Sequence, residues 1–174
     1  NGDNGNTVWS HSGIEEATNL LGGGSPALVF VHGWCCNRRH WVQQIATFSP
    51  QYRTAAIDLA GHGESGRDRE TWTMSASGAD VAAVVEALAL EQIVLIGHSM
   101  GGPVIVEAAR LLGDKVLGLV GVDYFHHLAA DPTPDEIDQR LAPFRQDFVG
   151  TAGPFVRDIF NDDADPAIME PIVA

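Results

Sequence analysis

Residues 27–31, 53–59, 92–97 and 116–122 place apolar side chains on consecutive positions, not alternate ones. Strands of that kind are buried on both faces. The stretches between them repeat with helical period. Over 39–48, Trp41, Ile45 and Phe48 share one face. Over 79–90, Val81, Val84, Val85 and Leu88 fall at i, i+3, i+4 and i+7, and residues 103–112 form a further helix-like stretch. Strands without alternation, separated by helices, predict an α/β class: a mostly parallel sheet with helices on both faces.

The pattern weakens at both ends. Residues 1–25 are rich in Gly and Asn, with a helix-like piece over 14–21 and no legible strand. Beyond Asp123 the style turns helical. Thr133-Pro134-Asp135-Glu136 combines an N-cap, a proline at the first helical position and a capping-box glutamate. The helix it opens carries Ile137, Leu141, Phe144 and Phe148 along one stripe, with Pro143 predicting a kink. Gly150 to Pro154 predicts a break, and Asp165-Pro166 opens a short helix with Ile168 and Ile172. The expected organisation is a poorly defined segment over 1–25, a core over 26–125 and a helical lid over 126–174.

With 174 residues, 45% of them hydrophobic, the chain can bury a single substantial core. Its net charge of −13 disfavours nucleic acid or an anionic membrane as partner. Cys35 and Cys36 are adjacent and cannot staple distant segments, so no disulfide scaffold is expected. No apolar run reaches membrane-spanning length, and a cytoplasmic location is the expectation. Neither a metal nor a cofactor is expected.

The candidate chemistry centres on Gly97-His98-Ser99-Met100-Gly101, between the strand over 92–97 and the helix over 103–112. Strand, sharp turn and helix are the context in which Gly-x-Ser-x-Gly forms a nucleophile elbow. A serine there should have a positive φ, and its glycine neighbours should leave no room for side chains.

Together with His32-Gly33-Trp34 and Asp58-Leu59-Ala60-Gly61-His62-Gly63-Glu64-Ser65, in that order and spacing, this motif resembles the α/β-hydrolase superfamily. The resemblance covers residues 27–125 well and the remainder in style only. It implies that Ser99 is a nucleophile towards an ester-like carbonyl and that the backbone N–H groups of Trp34 and Met100 form an oxyanion hole. His32, Gly33, Gly97, His98 and Gly101 would shape the elbow and pocket. Asp123 closes the fourth predicted strand, where some members carry the triad acid; the alternative is a carboxylate that caps the strand end. Asp58 reads as a structural residue of the Gly-rich loop. Haloalkane dehalogenases and epoxide hydrolases of the superfamily carry aspartate where this chain has Ser99, so the serine points to acyl hydrolysis.

The superfamily's general-base histidine comes late in the chain, and His126 and His127 stand too close to the fourth strand for that role. The expectation is therefore a fragment of a longer hydrolase, with the fourth strand an exposed sheet edge. The expected substrate is a small-molecule acyl compound. The alternatives are a ligand-binding or receptor-type protein without turnover, and cofactor-free haloperoxidase-like or carbon–carbon hydrolase chemistry on the same scaffold. Residues 129–173 should contribute no strand.

Overall fold

The computed structural model describes residues 5–9, 15–124, 132–161 and 163–173. The chain divides into two compact units, residues 1–126 and 127–174.

In the first unit a six-stranded sheet runs in the order β1-β2-β4-β3-β5-β6. Its strands are β1 (Gly5–Trp9), β2 (Glu15–Leu21), β3 (Ala27–Val31), β4 (Thr54–Ile57), β5 (Ile93–His98) and β6 (Val116–Val122). β3 pairs in parallel with β4 and β5, and β5 in parallel with β6. These are the four strands that the consecutive apolar runs predict.

The N-terminal expectation is corrected. Residues 15–21 form no helix but the second strand of a hairpin, antiparallel to β1 on one side and to β4 on the other. The strand is held by its ladder, with Thr18 opposite Ile57 and fully buried, so its burial leaves no apolar signature.

Helices cover both faces. A 3-10 turn over Arg38–Trp41 leads into α1 (Val42–Phe48), and Trp41 and Ile45 pack with Phe30, Ala56 and Ile96 on one side of the sheet. On the other side, α2 (Met74–Ala87) and α3 (Gly101–Leu112) enclose the larger cluster, which includes Val29, Val31, Ile57, Val81, Val85, Leu95, Val104 and Ile105. The alternation along each strand thus feeds two separate apolar cores. β6 is the sheet edge among the described residues, and Leu117, Leu119, Val120 and Val122 along it are exposed.

The second unit contains α4 (Pro134–Gln146), α5 (Phe148–Asp158) and α6 (Pro166–Val173), and no strand among its described residues. Thr133 and Glu136 form the predicted capping box, the Glu136 N–H donating to Thr133 Oγ1 and the Thr133 N–H to Glu136 Oε2. The predicted break is displaced. Residues 150–154 lie inside α5, and the chain turns instead at Asp147, whose Oδ1 accepts the Gly150 N–H at 2.9 Å. That N-cap satisfies a first-turn amide and outweighs the weak helix propensity of the glycines. Phe148 accordingly belongs to α5, where it and Phe155 pack against Phe144 of α4.

Candidate active site

The turn between β5 and α3 is built around Ser99, whose φ is +49°. A left-handed backbone is uncommon for a residue with a side chain, and holding it requires support on both sides. The glycines provide that closeness. A methyl group at Gly97 would collide with the Gly101 carbonyl, and one at Gly101 would lie 2.5 Å from the Val31 carbonyl oxygen. The Ser99 N–H donates to the Val122 carbonyl at 3.0 Å, and the Ser99 carbonyl accepts the Gly102 N–H at 2.8 Å. Both ties use the serine backbone and leave the hydroxyl out of the ladders. Met100 is the N-cap of α3, and among the described residues its N–H meets no acceptor. That amide therefore stands at the positive end of a helix with its hydrogen available.

The second loop of the site runs from the end of β3 into α1. His32 is buried, and both ring nitrogens are occupied: Nδ1 donates to the Gly33 carbonyl at 2.7 Å, and Nε2 accepts the Leu59 N–H at 3.0 Å. Burial lowers its pKa to about 4, so the ring is neutral in this arrangement and has no free nitrogen for proton transfer. The tautomer follows from its partners, since a carbonyl can only accept and an amide can only donate. Next along the loop, Trp34 is half-buried and Cys35 has a φ of +57°. Partial burial pushes the thiols of Cys35 and Cys36 above their usual pKa, which keeps both protonated and poorly nucleophilic.

Arg38 is the residue at this site that sequence reading misses. Its side chain is 3% exposed and its guanidinium pairs with Asp58, which is 1% exposed. It also donates to Glu64 Oε2 at 2.6 Å and to Asn19 Oδ1 at 3.1 Å. No local signal marks it, because Arg38 and Arg39 are neighbours in sequence and only the fold buries the first. Asp58 also accepts the Glu64 N–H, consistent with a carboxylate that organises the turn after β4.

Between these loops a cavity of about 220 Å³ opens at the C-terminal ends of β3, β5 and β6, lined by His32, Cys36, His40, Trp41, His98 and Val122. The His98 ring lies against Gly33, where a methyl would approach its Nδ1 to 2.8 Å. Burial lowers the pKa of His98, and the nearby Asp123 acts in the opposite direction. Asp123 is exposed at the end of β6, one residue past the carbonyl that holds Ser99, and has a φ of +51°. Among the described residues no imidazole hydrogen-bonds the Ser99 hydroxyl; His126 and His127 lie outside the described residues. No group of three metal-ligating side chains occurs among the described residues, and no described helix is long and apolar enough to cross a membrane.

Residues 26–167 match the family described as alpha/beta hydrolase fold. The chain belongs to that family. Its curated relatives include a pimeloyl-[acyl-carrier protein] methyl ester esterase of Yersinia enterocolitica, 34% identical over 129 residues, covering 74% of this chain and 48% of that protein. A non-heme chloroperoxidase of Streptomyces lividans is 45% identical over 94 residues, covering 53% of this chain and 33% of that protein. The chain thus spans less than half the length of these curated relatives. Among solved structures, a thermophilic esterase from Thermogutta terrifontis is 28% identical with a TM-score of 0.77, over 97% of this chain and 65% of that one. Ser99 lies within the matched residues, in the Gly-x-Ser-x-Gly turn between β5 and α3.

Proposed function

We propose that this chain carries the nucleophile and oxyanion machinery of a serine hydrolase acting on ester-like acyl bonds of a small molecule. Ser99 Oγ attacks the acyl carbonyl, and the developing oxyanion is held by the backbone N–H groups of Met100 and Trp34. Asp123, at the adjacent strand end, is the carboxylate that orients the imidazole receiving the Ser99 proton. His32, Gly33, Gly97, His98 and Gly101 shape the elbow and its pocket. The observation that carries this reading is the left-handed Ser99 beside the unused Met100 amide. A helix-terminal N–H aimed at nascent negative charge is worth about 3–4 kcal/mol in acyl transfer. The esterases among the relatives support the reaction class.

The test is acylation of Ser99 by an activated ester or an alkyl fluorophosphonate, read as a mass increment on the peptide that contains it. The natural protein carrying this sequence should be labelled and Ser99→Ala should not. Labelling that persists in Ser99→Ala would overturn the assignment.

The identity to a non-heme chloroperoxidase favours a second reading, halide oxidation on the same serine scaffold. Halogenation of a phenolic acceptor in the presence of peroxide and bromide, lost in Ser99→Ala, would select it. A receptor-type role without turnover predicts ligand binding and no labelling at all.

A further inference from the structure

The stretch from His32 to Arg38 is tied to the sheet at both ends, and the two ties land on consecutive residues after β4. At the first end His32 Nε2 accepts the Leu59 N–H at 3.0 Å. At the second the Arg38 N–H donates to Asp58 Oδ1 at 2.6 Å, while the guanidinium pairs with the other oxygen of the same carboxylate. Within the loop the Gly33 carbonyl accepts the Cys36 N–H at 3.3 Å, Cys35 is left-handed, and Asn37 caps the following turn, its Oδ1 accepting the Arg39 N–H at 2.9 Å and its N–H donating to His40 Nδ1 at 3.1 Å. Trp34 lies in the middle of this span.

We infer that Arg38, acting through Asp58, is a positioning residue that sets where the Trp34 amide stands relative to Ser99. This rests on the oxyanion role proposed above. The physical case is one of geometry and burial. A guanidinium presents donors in a fixed plane, so a single side chain engages Asp58, Glu64 and Asn19 at once. Those partners come from the turn after β4 and from β2, so the loop is referenced to two strands. Asp58 is itself fixed, since it accepts the Glu64 N–H at 3.0 Å and its carbonyl accepts the Ser65 hydroxyl at 2.6 Å. Charge alone would not do this. Lysine keeps the charge as a point donor on a flexible stem and cannot span three acceptors in one plane.

The consequence separates catalysis from binding. An oxyanion donor acts on the transition state, so its displacement lowers kcat with little change in KM. Misplacement by about 1 Å costs on the order of 100-fold. In the natural protein carrying this sequence, Arg38→Lys should lower kcat for an activated ester by about 10- to 100-fold, with KM held within about twofold. Hydrogen exchange at the amides of residues 34–37 should accelerate in the same variant, while exchange in β3, β5 and α3 stays as it was. Arg38→Ala should recover part of its lost rate when methylguanidinium is added, which a generally loosened fold would not do.

A kcat for Arg38→Lys equal to that of the unaltered protein would overturn the inference. So would exchange at 34–37 that does not change, or that rises equally throughout the sheet. Failure of the unaltered protein to acylate at Ser99 would instead overturn the proposed function and the catalytic consequence drawn from it. The exchange measurement tests the clamp whether or not acylation occurs.

Discussion

His32 joins Leu59 across the C-terminal ends of β3 and β4, its Nε2 accepting the Leu59 N–H at 3.0 Å. Protonation of that nitrogen would replace an acceptor by a donor facing another donor. Burial has already set the ring's pKa at about 4, against 6.5 for the free side chain. Between those values the unfolded chain binds a proton that the folded chain refuses. The contribution to stability is therefore complete above pH 6.5 and is lost as pH falls towards 4. Its ceiling is on the order of 3 kcal/mol. Urea midpoints measured from pH 4 to 7 should rise with pH, and the rise should be smaller in His32→Gln, which keeps an acceptor but does not titrate. An equal slope in both proteins would count against the neutral buried ring.

Ser99 stores backbone strain that glycine would relieve. Relief of the left-handed penalty, set against the larger chain entropy of unfolded glycine, predicts that Ser99→Gly stabilises the fold by about 0.5–1 kcal/mol. The same change should abolish acylation. Thermal or chemical unfolding with parallel labelling checks both, and a destabilised Ser99→Gly would contradict the strain reading.

Gly101 has no space for a side chain. A methyl there would lie 2.5 Å from the Val31 carbonyl oxygen, so α3 or the end of β3 would have to move. Gly101→Ala should cost about 2–3 kcal/mol and reduce labelling of Ser99, because the elbow is held between the two elements that must part. Unchanged stability would show that α3 can shift at no cost.

Asp123 allows a clean separation of roles. It is exposed and left-handed, a conformation that asparagine also adopts readily. Asp123→Asn should therefore leave the unfolding midpoint unchanged. As the acid of a triad its loss should lower kcat by about 100- to 10,000-fold in the natural protein. Full activity in this variant would reduce Asp123 to a cap on the end of β6.

The β6 edge carries Leu119 and Val120 at 37% and 45% exposure, on a strand whose described partner is β5 alone. Exposed apolar edges template association with other strands. Val120→Lys should lower light scattering of this chain at a given concentration, with little effect on the cooperativity of unfolding. Equal self-association in the variant would locate the sticky surface elsewhere.

The parallel core was legible because strands buried on both faces announce themselves as consecutive apolar residues. β3 and β5 are examples, with Val29, Val31, Ile93 and Leu95 fully buried. Where burial is polar the signal fails. Thr18 is as deeply buried as those valines, yet a threonine between Ala17 and Asn19 does not read as core. The start of α2 was missed for a related reason. Its first turn carries no apolar stripe and is set by Thr73, whose hydroxyl accepts the Ala76 N–H at 3.1 Å.

The candidate site divides the same way. The Gly-x-Ser-x-Gly spacing is enough to place a sharp left-handed turn at Ser99, because an elbow demands small residues at fixed local positions. Asp58 reads from sequence as a structural residue of its Gly-rich loop, but its pairing with Arg38 does not, since twenty residues separate the two and Arg38 alone reads as surface. Local sequence determined which segments are strands, where the chain must turn sharply and which hydroxyl stands at the turn. Only the assembled sheet decided which charges are buried, which imidazole is locked neutral and what ties down the loop after β3, because those properties depend on desolvation and on partners that meet across the strand ends.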